Sequence, residues 1–151
     1  MAYYKIHVAV HLILIRNNEV LLLRRYNTGY EDGNYSVVSG HMTGNENVYK
    51  AMQREALEEA GIWINISDLH IVQVMNRKKP PCEQNEERID YFFTAEKWDG
   101  EICNMEPNKC DELSWHCLDR LPINMVPYVR KALDYYQKNV AFTLFGWEDD
   151  G

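Results

Sequence analysis

The chain has 151 residues, 46% hydrophobic and 26% charged, a balance that suits one soluble globular domain with a buried core and argues against disorder. Its formal net charge of -7 argues against a nucleic-acid binder, which needs a basic face, but leaves room for a small polyanionic substrate bridged by metal ions. No apolar run approaches the ~20 residues of a membrane span; Lys5, His7 and His11 interrupt the apolar opening, so a first strand in a cytoplasmic protein is expected rather than a signal peptide.

In chain order, residues 4–16 and 19–25 are rich in Val, Ile and Leu around Asn17-Asn18, which predicts an antiparallel hairpin. Residues 26–34, with two Gly and two Asn, read as a loop. Tyr35 to Ser39 is a short strand leading into Gly40. Asn45 is placed to cap a helix from 46 to 60 that Gly61 ends. A strand near Leu69–Asn76, a charged loop at 77–87 and an apolar strand Ile89–Ala95 follow. After a turn at Asp99-Gly100, a final strand covers about Glu112–Leu118, and a second helix starts near Pro122. With no repeat or linker, residues 1–151 read as a single α+β or sandwiched mixed-sheet domain. Cys82, Cys103, Cys110 and Cys117 form no CxxC and read as reduced thiols in or near a core.

The helix at 46–60 is the chemically informative segment. Glu55, Glu58 and Glu59 stand at i, i+3 and i+4 and must share one side of the helix, where like charges repel. At about 100° per residue, Val48, Ala51, Met52, Ala56 and Ala60 form the apolar side, and the three acids overlap its edge. A solvated salt-bridge helix would turn its acids away from the core. Carboxylates drawn toward the protein body need a cation or a base to offset burial. Lys50 and Arg54 are too few to neutralise Glu46, Glu55, Glu58 and Glu59. Oxygen-only donors of this kind suit hard ions such as Mg²⁺ or Mn²⁺.

The segment GHMTGNENVYKAMQREALEEAGI, Gly40 to Ile62, resembles the signature of the Nudix hydrolases, G-x5-E-x7-R-E-U-x-E-E-x-G-U, where U is bulky and aliphatic. Gly40, Glu46, Arg54, Glu55, Glu58, Glu59, Gly61 and Ile62 fall in register, and only Ala56 is smaller than the pattern. The strict match covers this box; the surrounding order of strands and the second helix resemble the family loosely. The resemblance implies an α/β fold, the Nudix α/β/α sandwich with a mixed sheet and two main helices. It also implies Mg²⁺- or Mn²⁺-dependent hydrolysis of a nucleoside diphosphate linked to a further group. The family's metal ligands map onto Glu55, Glu58 and Glu59, helped by the carbonyl matching Gly40. The arginine matching Arg54 orients a glutamate and is held by the acid matching Glu46. The sequence departs from the family at Thr43, where an acid is frequent, at Asn45, where Gly is usual, and at Val38-Ser39-Gly40, where Pro-Gly-Gly is common.

In such a site bound cations neutralise phosphate charge and lower the pKa of a water, and a carboxylate removes its proton. Glu58 and Glu59 are expected as principal ligands, with Glu55 as ligand or base. A further acid assists in many family members; Glu106 fits that place, with Asp111 and Glu112 as rivals. Arg24 and Arg25 are candidates for phosphate contacts, and Asn124 and Tyr128 for reading or stacking on a base. The ADP-ribose sub-signature proline is replaced by Arg77, with Pro80 a near miss, and the tyrosine of dinucleoside polyphosphate hydrolases is absent. A nucleoside triphosphate giving monophosphate and pyrophosphate is therefore the first expectation, in a MutT-like role; ADP-ribose or a nucleotide sugar is the alternative. A catalytically inactive nucleotide sensor is the reading of another class. The expected partner is a small nucleotide, with no nucleic acid or membrane, for a monomer or homodimer. The tail AFTLFGWEDDG packs either on the sheet or on a second chain.

Overall fold

The computed structural model describes residues 2–79 and 86–147; Pro80 and Cys82 lie outside them. Strand β1 (His7–Leu12) sits inside a five-stranded mixed sheet, between β5 (Val38–His41) and β7 (Glu87–Ala95), followed by β6 (Leu69–Lys78) and β9 (Phe142–Phe145). β1 runs antiparallel to β5 and parallel to β7. A second sheet is centred on β3 (Glu19–Arg25), which pairs with β2 (Ile15–Arg16), β4 (Tyr35–Ser36) and β8 (Cys110–Cys117).

Two helices cover the sheets. On α1 (Val48–Ala60), Ala51, Met52, Ala56 and Ala60 are fully buried with Val10, Leu12, Val38 and Phe93. On α2 (Pro127–Gln137), Val129, Ala132 and Leu133 are buried with Ile13, Met75 and Phe92. Alternation along a strand sends neighbours to opposite faces, so Phe93 faces the α1 cluster while Phe92 faces the α2 cluster. The result is the mixed α/β sandwich with two main helices that the sequence implied.

Several boundaries differ from the sequence reading. The hairpin at Asn17-Asn18 forms, both residues taking positive φ (53 and 61) as its tight turn requires, but only Ile15–Arg16 pairs with β3 there. Residues 4–16 are not one strand. At Ile13-Leu14 the chain changes sheets: Ile13 N–H donates to the Phe93 carbonyl, and the Leu14 carbonyl accepts from Leu21. Both residues are completely buried, so the apolar run shows no break where the pairing partner changes. The expected strand Tyr35–Ser39 likewise divides at Val37 into β4 and β5.

Asn47 caps α1, its side chain accepting from Lys50 N–H at 3.0 Å, not Asn45. Asn45 instead takes φ 66 in the preceding loop, a left-handed conformation that Asn tolerates better than most residues. That explains physically why Asn can stand where the family pattern has Gly. Gly61 ends the helix at φ 70, as expected. The second helix starts at Pro127 rather than near Pro122, with proline in its first turn, where the missing N–H costs nothing.

The C-terminal tail adds β9 to the sheet, parallel to β6, so Glu112–Leu118 is not the final strand. Trp147 Nε1 donates to the Asn76 carbonyl, and Gly146 has φ 85, with a position for Cβ only 1.9 Å from the Lys78 carbonyl oxygen. Gly146→Ala should therefore detach β9 and lower the melting temperature by several degrees, the effect of about 1–2 kcal/mol in a domain of this size. An unchanged melting curve would show that β9 adds nothing to stability.

Candidate active site

A cavity of ≈ 600 Å³ opens where β5, α1 and the loop before β8 meet; its walls include Arg25, Ser39, Gly40, Glu55, Glu59 and Glu106. The three helix acids reach it at different depths. Glu55 is buried, Glu59 half-buried and Glu58 exposed.

Gly40 is required by contact rather than by backbone freedom. A Cβ there would lie 2.1 Å from Glu55 Cδ and 2.2 Å from its Oε1. The Glu55 carboxylate thus occupies the space a side chain at position 40 would fill. One residue earlier, Ser39 N–H donates to Glu59 Oε1 at 3.0 Å. The strand segment Ser39-Gly40 therefore seats two of the three acids.

Arg54 holds the cluster from the other side. Its guanidinium donates to both oxygens of Glu46 (2.7 and 3.1 Å), to Glu55 Oε1 (2.7 Å), to Glu58 Oε2 (3.3 Å) and to the His41 carbonyl (3.2 Å). Arg54 and the Thr43 N–H (2.9 Å from its oxygen) hold the Glu46 carboxyl at about 2. Thr43, where the family often has an acid, contributes its backbone to this lock.

The deeper acids are shifted in the opposite direction. Burial raises the pKa of Glu55 against the pull of Arg54. Burial pushes Glu59 up to about 8, Ser39 N–H resists it, and the charges of Glu55 and Glu106 add to it. Two carboxylates that resist ionising within one cavity mark a place where a cation would be welcome. Among the described residues no three acidic, His or Cys side chains close into a cage: Arg54 and Ser39 hold the carboxylates separately. The donor set still fits a hard divalent ion, being all oxygen, sharing one cavity and including a movable, solvent-facing Glu58.

Of the acids considered outside the helix, Glu106 lines the cavity. Its loop is pinned to the end of α1, Cys103 N–H donating to the Ala60 carbonyl and Met105 N–H to that of Glu59. Asp111 is engaged with Arg24 at 2.7 and 3.1 Å, and Glu112 with Ser114 and His116; neither lines the cavity. Alternation along β3 separates the two arginines: Arg25 lines the cavity, and Arg24 pairs with Asp111 outside it. Asn124 serves the fold, its side chain donating to the Gly33 carbonyl and its carbonyl accepting from Tyr35 N–H. Tyr128 is buried, its hydroxyl pushed up to about 12 by burial, and it lines a smaller adjoining cleft.

Comparison with known proteins identifies the family and the fold. The NUDIX domain family profile matches residues 5–136, which includes α1, all of α2 but its last residue, and the whole acidic site. The chain belongs to the Nudix family. The Nudix fold is shared with a MutT NUDIX hydrolase from Burkholderia pseudomallei, with a TM-score of 0.77 and 25% identity over 87% of this chain and 98% of that one. A MutT mutator protein from Bacillus halodurans superposes with a TM-score of 0.74 at 18% identity, covering 97% and 94% of the two chains. In sequence, the chain is 28% identical to the NAD-capped RNA hydrolase NudC of Shigella dysenteriae over 116 residues, 77% of this chain. It spans only 41% of that curated relative's length.

Within this Nudix domain, the sequence did not single out Ser39 or Thr43 as supports for the acids, because each acts through its backbone N–H. Nor did it mark His11, Arg77 or Arg88, which line the adjoining cleft. The available signal was charge at inward strand positions: Asp90 is fully buried two residues before Phe92.

Proposed function

We propose that this Nudix domain hydrolyses the diphosphate of a nucleoside diphosphate-linked compound with a bound divalent cation, Mg²⁺ or Mn²⁺. The observation that carries the reading is the seat that Gly40 makes for the Glu55 carboxylate beside Glu59, an arrangement that is costly unless a cation is drawn to it. Glu55, Glu58 and Glu59, with the Gly40 carbonyl, hold the ion, which supplies charge neutralisation for the phosphates and a more acidic water.

The chain's own residues do the remaining work. Arg54 keeps Glu55 and Glu58 facing the cavity while Glu46 fixes Arg54. Glu55 or Glu106 takes the proton from the attacking water, both being acids of the same cavity. Arg25, on the cavity wall, contacts the substrate phosphates. Arg54→Lys keeps the charge and loses the planar fork, so kcat/KM should fall by roughly 10–100-fold with little change in melting temperature. Wild-type kinetics in that variant would contradict the positioning role.

Nucleoside triphosphates, yielding monophosphate and pyrophosphate, are the first substrates to test. The second reading, a diphosphatase for ADP-ribose, nucleotide sugars or other diphosphate-bridged compounds, is supported by the similarity to NudC. Product analysis with Mg²⁺ separates them: pyrophosphate appears in the first case and two monophosphates in the second. Absence of hydrolysis across both classes, with either ion, would favour a nucleotide-sensing module.

A further inference from the structure

Beside the acidic cavity lies a second cleft of ≈ 240 Å³, and the two share Arg25, Ser39, Gly40 and His41 as a common wall. Its chemistry is the reverse of the first. Arg25, Arg77, Lys79 and Arg88 line it, together with His11 and Tyr128. Arg77 and Arg88 are register partners across β6 and β7, so two like charges stand directly opposite, a destabilising arrangement for a sheet.

The fold compensates part of this charge: Glu86 accepts from Arg88 Nη2 (2.7 Å) and pairs with Lys79 Nζ (3.0 Å), and Asp90 acts from beneath. Asp90, fully buried, accepts from His11 Nε2 (2.9 Å) and from Arg77 Nε (2.8 Å). Although burial pushes its carboxyl up, His11 and Arg77 hold it at about 2. Arg77 also lies 3.6 Å over the Tyr128 ring. The network stops short of completion on the cleft side. Among the described residues, His11 Nδ1 and Arg88 Nε are both buried without a hydrogen-bond partner, and a desolvated polar group left unpaired is costly. Arg25 donates to neutral oxygens, the Tyr30 carbonyl and the Thr28 hydroxyl.

We propose that this cleft is a phosphate subsite, which receives a phosphoryl group borne by the substrate away from the diphosphate that is cleaved. The inference rests on the proposed hydrolysis and deepens it. Cations arrive from three strands, Arg25 from β3, Arg77 from β6 and Arg88 from β7, with His11 from β1. A tetrahedral dianion can accept from several directions at once, whereas a planar carboxylate is matched by one guanidinium fork. The shared wall lets one elongated substrate lie in both cavities.

Two measurements test this. In EDTA, inorganic phosphate is titrated into the ¹⁵N-labelled protein; saturable shifts are expected at the amides of Ala9, Arg77 and Arg88, and Arg88→Gln should weaken binding by roughly tenfold or more. With Mg²⁺, hydrolysis is compared for pairs differing by one remote phosphate, NADPH against NADH and coenzyme A against its dephospho form. The phosphorylated member should be favoured about tenfold, through KM, and Arg88→Gln should bring the ratio toward one; Arg88→Lys should restore part of it. No phosphate-dependent shift in the cleft, a ratio near one, or a ratio that Arg88→Gln leaves intact overturns the assignment. Hydrolysis without phosphate binding defeats the cleft alone; phosphate binding without hydrolysis of any diphosphate defeats the functional reading instead.

Discussion

Glu59→Gln should stabilise the metal-free protein at pH 8 while abolishing turnover. The Glu59 carboxyl is pushed up to about 8 mainly by burial, against ~4.3 for an unperturbed glutamate. A carboxyl with a raised folded pKa favours the protonated fold, so its contribution is intact below the unfolded pKa and is lost as pH rises through the folded one. Glu46, Glu86 and Asp90, all held at about 2, act in the opposite sense. Their stability is present above the ordinary carboxylate range and fades only in acid. Between pH 5 and 8 Glu59, with Glu55 in the same direction, makes stability in EDTA decline as pH rises, while His41, its pKa lowered by burial, acts against that decline.

Glutamine at 59 keeps an oxygen for the Ser39 N–H and has no charge to bury. The expected gain at pH 8 is about 2 kcal/mol, allowing for water entering the cavity; it should shrink toward pH 5 and vanish only below about pH 4. Thermal melts of wild type and variant across this range, in EDTA, measure it. Adding Mg²⁺ should raise the wild-type melting temperature and leave the variant much less affected, by mass action on the folded state. A variant less stable than wild type at pH 8, or one equally stabilised by Mg²⁺, would show that Glu59 is not held at electrostatic cost for an ion.

Gly40→Ala should cost at least ~100-fold in kcat/KM, the size of effect expected when catalytic groups are displaced by about 1 Å. The added methyl would sit within 2.1–2.5 Å of the three carboxyl atoms of Glu55, and Arg54 and burial prevent that side chain from swinging away. Shortening the acid relieves the collision, so Gly40→Ala combined with Glu55→Asp should be more active than the product of the two single effects predicts. Additive losses would mean that the contact between positions 40 and 55 is incidental. Circular dichroism and melting curves establish whether β5 still pairs with β1 in each variant.

The acidic site was legible because its chemistry fixes residue types at fixed intervals. Glu55, Glu58 and Glu59 had to share a helix side, Gly61 had to end the helix in a left-handed conformation, and the Arg54–Glu46 pairing followed from the family resemblance. Local chemistry was less legible where adjacent residues are interchangeable on paper. Asn45 and Asn47 both suit a cap, and only the path of the loop makes the first a left-handed residue and the second the cap. Arg24 and Arg25 differ by one position and therefore by a whole sheet face.

Long-range pairing was less legible still. The apolar run through Ile13 and Leu14 is buried on both sides, so hydrophobic pattern could not mark the change of sheet. β9 is four residues long and is held by its pairing with β6 and by the contacts of Gly146 and Trp147. The cationic cleft draws its lining from β1, β3, β5, β6, β7 and α2, and no local motif announces a site assembled from six elements.

The most direct test of the central claim is turnover of a panel of nucleoside triphosphates, ADP-ribose and nucleotide sugars with Mg²⁺, by wild type and by Glu58→Gln. Glu58 is the exposed acid of the cluster, its side chain 52% accessible, so the substitution removes a charge without disturbing the core. At least one diphosphate compound should be hydrolysed by the wild type, with activity abolished by EDTA. Glu58→Gln should retain the melting temperature and lose roughly 100-fold or more in kcat, as expected on removing a metal-ion ligand. A folded Glu58→Gln protein with wild-type turnover would contradict the assignment of this helix as the metal-binding catalytic element.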